Sequence, residues 1–167
     1  MTEHALRRAA IQARLRAMLH DLVENMPLDG MADMFCCQRY IHERLPIAHA
    51  PADASRLPAS PEEVTLASKI RLTTRRVARL AVEGGGADGL EVAALYHSAQ
   101  NTRIYRERDE PEKIDFAIEA APALEHVLAS YPKYVSVAKL PCDSDAQRLD
   151  VARALAEVGC VLVKTGE

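Results

Sequence analysis

Leu66-Ala67-Ser68-Lys69-Ile70-Arg71-Leu72-Thr73-Thr74-Arg75-Arg76-Val77-Ala78-Arg79-Leu80 is the stretch on which the fold turns. Leu66, Ala67 and Ile70 recur at helical spacing, and so do Val77 and Leu80. Leu72 falls between the two sets, where it would plug a tight turn between crossing helices. Upstream, Ser60-Pro61-Glu62-Glu63 reads as a helix start, with a capping serine, proline in the first turn and a glutamate completing the box. The first helix is expected to reach about Ile70. Thr73 would cap a second one through about Val82, ended by Gly84-Gly85-Gly86. Thr73, Thr74, Arg75, Arg76 and Arg79 would then face outward on the second helix.

Leu90 to His97 alternates between two sets, with Leu90, Val92, Ala94 and Tyr96 on one face. Ser98-Ala99-Gln100-Asn101 is turn-like, and Thr102 to Glu107 is a second β-prone run, so a hairpin is expected. From Lys69 to Val82 the chain carries five basic residues and no acidic one.

This segment resembles the winged helix-turn-helix of MarR-like regulators, whose motif reads roughly L-A-x-x-L-G-L-[ST]-x-x-x-V-x-R-L followed by a G-L that opens a β-hairpin wing. Leu66, Ala67, Ile70, Leu72, Thr73, Val77, Arg79 and Leu80 match it, and Gly89-Leu90 follows. Arg71 stands where the family has its turn glycine. The resemblance covers about residues 61–108. It implies a recognition helix in the DNA major groove, with Thr73, Thr74, Arg75, Arg76 and Arg79 as contacts and Lys69 and Arg71 on phosphate. It further implies backbone or minor-groove contacts from the wing through Arg103 and Arg106. Double-stranded DNA is the expected partner, and the family habit of two-fold symmetry implies a homodimer.

The remaining chain fits around that core. Its 167 residues suit one domain or two very small ones. Alanine contributes 28 residues and aromatics only 4%, which favours helix. Residues 3–25 read as an amphipathic helix on Ile11, Leu15, Leu19, Leu22 and Val23, and residues 31–44 as a second helix. Four prolines and five alanines make 46–61 a linker. Pro111 is expected to open another helix, interrupted at Pro122 and resuming to about Ser130. Tyr134 to Leu140, a helix capped by Asp143 or Ser144, and Cys160 to Val163 read as a βαβ unit. The expected fold is mainly α with a minor β component: a helical segment at 1–45, a linker at 46–61, the winged helix-turn-helix at 62–108, and C-terminal helices with the βαβ unit at 109–167.

Other chemistry finds little support. Cys36, Cys37, Cys142 and Cys160 are expected as reduced thiols, because C-C-x4-H is not a zinc spacing and the ends of the βαβ unit are too far apart for a disulfide. Gly84, Gly86 and Gly89 spell G-x-G-x-x-G, but a helix before and a hairpin after exclude the dinucleotide fingerprint. Six scattered histidines suggest no metal site. No cofactor, no catalytic residue and no enzyme are therefore expected; a small enzyme or subunit built on the βαβ end ranks third. The leading expectation is a cytoplasmic, sequence-specific transcriptional regulator with no membrane association. The alternative is a winged-helix adaptor of plasmid or phage type that binds a protein partner and no DNA. The net charge of −3 and the acidic residues Glu107, Asp109, Glu110, Glu112, Asp115 and Glu119 support that alternative.

Overall fold

A computed structural model describes residues 3–26, 28–46, 51–58, 60–84, 89–104 and 107–164. The chain divides into two compact units, 1–33 and 34–167. The first is dominated by α1 (Glu3–Glu24), as its helical apolar spacing predicts. Asn25 closes α1 by donating its side-chain N–H to the Asp21 carbonyl at 2.7 Å. Helix α2 (Leu28–Phe35) leads into a six-residue π-helical turn, Cys36–Ile41.

In the second unit the expected linker holds one helical turn, α3 (Pro51–Ala54). Ser60 does cap, accepting from the Glu62 N–H at 3.3 Å, but only a 3-10 turn follows, Pro61–Glu63. The helix-turn-helix expected over 62–82 is not formed. Lys69–Leu72 is strand β1, residues 73–77 form a turn, and Ala78–Gly84 is strand β2. Strand β1 pairs antiparallel with β5 (Val135–Ser136) on one side and β6 (Val161–Lys164) on the other. The second sheet runs β2-β3-β4, with β3 at Glu91–His97 and β4 at Lys113–Ala117. The fold is therefore α+β, with two three-stranded antiparallel sheets, rather than mainly α.

The physical reason lies in period. Lys69-Ile70-Arg71-Leu72 alternates as cleanly as any strand, and Ile70 and Leu72 are both fully enclosed while Lys69 is exposed. Residues 113–118 also alternate, so the run after Pro111 is a strand instead of a helix. Its partner is β3, which displaces the hairpin expected between 90–97 and 102–107. The βαβ unit is not formed as expected: of Tyr134 to Leu140 only Val135–Ser136 is strand, and a 3-10 turn, Val137–Lys139, follows. Strands β5 and β6 are parallel to each other but do not pair, because β1 lies between them.

Helix α4 (Ala121–Ala129) takes Pro122 in its first turn, and α5 (Asp145–Glu157) begins at a full capping box between Ser144 and Gln147. Gly159, at φ +74°, ends it. Ala123, Leu124 and Val127 of α4 and Val151, Ala152, Leu155 and Ala156 of α5 bury against Ile70, Leu72, Val77, Leu95 and Val161 to form the main core. A smaller cluster joins Cys37 and Ile41 of the π-helical turn to Ala94 and Tyr96 on the opposite face of the second sheet. No helix among the described residues is long and apolar enough to cross a membrane.

Candidate functional site

The two faces of the β2-β3-β4 sheet follow from its register. Ala78, Leu80, Ala93, Leu95 and His97 share the face turned to the main core. Arg79, Ala81, Glu83, Ala94, Tyr96, Lys113 and Asp115 share the other. Cys37 and Ile41 cover part of that second face, leaving a cleft on either side of the π-helical turn.

One cleft, of about 560 Å³, is lined by Arg39, His42, Tyr96, Lys113 and the 108–111 segment. Its floor carries a charged network. Lys113 Nζ donates to Glu83 at 2.7 Å and stands 3.1 Å from Asp115, and the Tyr96 hydroxyl donates to Glu83. Burial pushes the Glu83 carboxyl up, but hydrogen bonds from Lys113 and Tyr96 and the Lys113 charge outweigh it and leave it below its ordinary value. Burial, then the bond to Glu83, pushes Tyr96 up to about 12. The bond to Glu83 likewise raises Lys113, against its own burial. Next to Tyr96 in sequence, His97 is 1% exposed with Nδ1 unpartnered, and burial followed by the Arg108 charge lowers it to about 4.

The other cleft, of about 360 Å³, lies between the π-helical turn and residues 75–79. Tyr40 forms its wall. Arg76 Nη1 donates to the Tyr40 hydroxyl at 3.1 Å, Arg44 sits 5.3 Å from the Tyr40 ring centre, and Arg44 Nη1 donates to the Arg76 carbonyl at 2.5 Å. Asn101 clamps the end of the turn by donating to the carbonyls of Ile41 and Arg44, each at 2.8 Å.

The residues singled out in the sequence are thus divided among three places. Arg75, Arg76 and Arg79 meet at the second cleft, on a turn and a strand rather than a recognition helix. Lys69 and Arg71 lie on the other sheet. Lys69 is exposed opposite Lys164, while Arg71 is 3.4 Å from Asp53 and 5.2 Å from the Tyr134 ring centre, with Lys164 4.3 Å from that same ring. Thr73 is buried and donates its hydroxyl to the Cys160 carbonyl at 3.2 Å, and the Thr74 hydroxyl is also enclosed, so neither faces outward. Arg103 is exposed at a third hollow beside His42 and Asn101. Arg106 lies outside the described residues. Sequence reasoning missed Phe35, Cys36, Tyr40 and Ile41 as the companions of the arginines, and Glu83, Tyr96 and Lys113 as a network. The period-two alternation of β2, β3 and β4 was the available signal for the network.

None of the four cysteines forms a disulfide. Burial raises Cys160 to about 12, and it raises Cys142 against the opposing charge of Arg148. Among the described residues no group of three or more His, Cys, Asp or Glu side chains could hold a metal ion.

The chain matches the family described as "Ribosomal oxygenase 1, C-terminal winged helix domain" over residues 45–166. It is 32% identical to the "Bifunctional lysine-specific demethylase and histidyl-hydroxylase NO66" of Dictyostelium discoideum, over 93% of this chain and 30% of that protein. It is 30% identical to "Ribosomal oxygenase 1" of Rattus norvegicus and 29% to that of Homo sapiens, over 95% of this chain and 28% and 25% of theirs. The chain thus spans less than a third of these relatives' length. The winged-helix class stands through this family's description over 45–166, but the helix-turn-helix placed at 62–82 and the MarR-like regulator do not. The names of the relatives also overturn the readings as a sequence-specific transcriptional regulator and as a protein with no part in an enzyme, since the proteins it matches are named as oxygenases, demethylases and hydroxylases. This chain belongs to the ribosomal oxygenase 1 C-terminal winged-helix family.

Proposed function

We propose that this chain is the winged-helix part of a protein-modifying oxygenase of the ribosomal oxygenase and histidyl-hydroxylase kind. The observation that carries the reading is the family match over 45–166, with likeness to the full-length relatives extending over 93–95% of the chain. Inserting oxygen into a side chain needs a centre that activates dioxygen. A non-haem iron site for that purpose takes two histidines and a carboxylate around one point. The described residues offer no such group, so they do not fit that centre and no oxidation step is assigned to them. The clefts beside the π-helical turn and the rigid two-sheet core support a role in holding a protein near the oxidising part. Four cysteines, none in a disulfide, suit a reducing compartment.

Deleting the coding sequence from its native cells tests the reading. Mass spectrometry of ribosomal proteins is expected to lose the increment of one oxygen atom on specific histidines, and re-expression to restore it. An unchanged set of modified histidines and lysines overturns the proposal.

A further inference from the structure

The cleft between the π-helical turn and residues 75–79 combines two features that rarely coincide by accident on an acidic chain. Its floor and walls are apolar: Ile41 is 3% exposed beneath it, while Phe35 and Tyr40 stand beside it at 64% and 41% exposure. Its rim is positive, with Arg75 and Arg76 exposed on the turn and no carboxylate among the lining residues. Arg75 has no ion-pair partner among the described residues, and Arg76 spends one N–H on the Tyr40 hydroxyl, leaving the others of its guanidinium fork to face outward. The arrangement is held in place before any ligand arrives. Arg44 packs over Tyr40 and ties the turn through the Arg76 carbonyl, and Asn101 fixes the far end of the π-helical turn. A π-helical turn is itself a rare element that tends to mark functional sites.

We infer that this groove docks an acidic peptide segment of a partner protein, taking one large apolar side chain between Phe35 and Tyr40 while flanking carboxylates bind Arg75 and Arg76. Its volume of about 360 Å³ suits one or two side chains. Arginine forks match carboxylates in bidentate geometry, and the surrounding apolar wall strengthens such bonds by displacing water. A nucleic acid strand fits less well. The Tyr40 ring is already covered on one side by Arg44, and the floor is apolar. The inference is independent of the oxygenase reading: peptide docking is measured without oxidation chemistry, so each can fail alone.

The test uses the full chain and fluorescence anisotropy with a pool of labelled hexapeptides, each carrying two acidic residues on either side of a Leu-Phe centre. Saturable binding is expected, weakening as salt rises. Arg75→Glu together with Arg76→Glu is expected to weaken it by about tenfold or more, and Phe35→Ala to weaken it as well. Far-ultraviolet circular dichroism checks that the variants fold. A counterpart pool with lysines in place of the acidic residues, applied to the unaltered chain, tests charge selection without any mutation and is expected not to bind. Equal binding of that pool, no saturation by the acidic pool, indifference to the substitutions, tighter binding of duplex DNA or single-stranded RNA through the same residues, or occlusion of the groove by a second copy would each overturn the inference.

Discussion

His97 is enclosed at the edge of the main core, with its backbone N–H bonded to the Glu112 carbonyl at 3.0 Å and its Nδ1 without a partner. Protonating it there means placing a charge in a dry site near Arg108, so the folded chain resists a proton that the unfolded chain accepts. The pKa falls from 6.5 to about 4 on folding. Because the folded value is depressed, the neutral form is present in both states above pH 6.5. Stability is then lost as pH drops from there toward 4, where the loss is complete. Between pH 7 and pH 5 this amounts to about 2 kcal/mol. Urea unfolding is expected to show that loss in the unaltered chain and a much flatter profile in His97→Met, which removes both the titration and the orphan nitrogen. Equal slopes in the two proteins would sink the assignment. Glu83 acts in a lower window, since its carboxyl sits below 4.5, so the interval from pH 7 to pH 5 isolates the histidine.

At the scale of elements, the β2–β3 pairing ends at Gly84, whose φ is +118°, and the Cβ of any other residue would overlap the Leu90 carbonyl oxygen. Gly89 has φ +65° but open space where a Cβ would go. Both positions oppose an alanine through the backbone, and only Gly84 opposes it through packing as well. Gly84→Ala is therefore expected to cost roughly 2–3 kcal/mol and Gly89→Ala about 1 kcal/mol, by denaturant unfolding. The reverse order would mean that the strand end is built differently. Legibility also divides at this scale. Helices α1 and α5 were readable because their signals are local: a long apolar spacing in one, and in the other a serine cap with Gly159 as a stop. The segment 66–82 was not, because its short apolar runs satisfy a 3.6 period and a period of two alike. What decides for strands is pairing with Val135–Ser136, Val161–Lys164 and Glu91–His97, and none of those partners is visible from within the segment. Pro111 misled in the same way. Proline opens helices, and it also tolerates the approach to an edge strand such as β4. The arginines were readable as a basic cluster. Their apolar companions at 35–41 were not, because the groove needs a π-helical turn some forty residues upstream that carries no sequence signature.

For the whole molecule, the burial pattern places stability in one of the two units. Every buried hydrophobic residue among the described ones lies between Cys37 and Leu162, whereas Ile11, Leu15, Met18, Leu19, Leu22 and Val23 of α1 are each more than half exposed. A helix of 22 residues carries some stability of its own, but most helical stability in proteins comes from packing an apolar face. Removing residues 1–33 should therefore delete helical signal while leaving the cooperative unit intact. The expected result for 34–167 is a single urea transition within about 1 kcal/mol of the full chain, with a similar slope, since the surface exposed on unfolding belongs mainly to the retained core. Trypsin gives the kinetic counterpart. Arg7, Arg8, Arg14 and Arg16 lie on exposed positions of α1 and should be cut first, and a fragment holding the two sheets should persist. A broad or early transition in 34–167, or cleavage within the β1 and β2 strands at the same rate as within α1, would show that the two-sheet unit depends on the N-terminal helix for its stability.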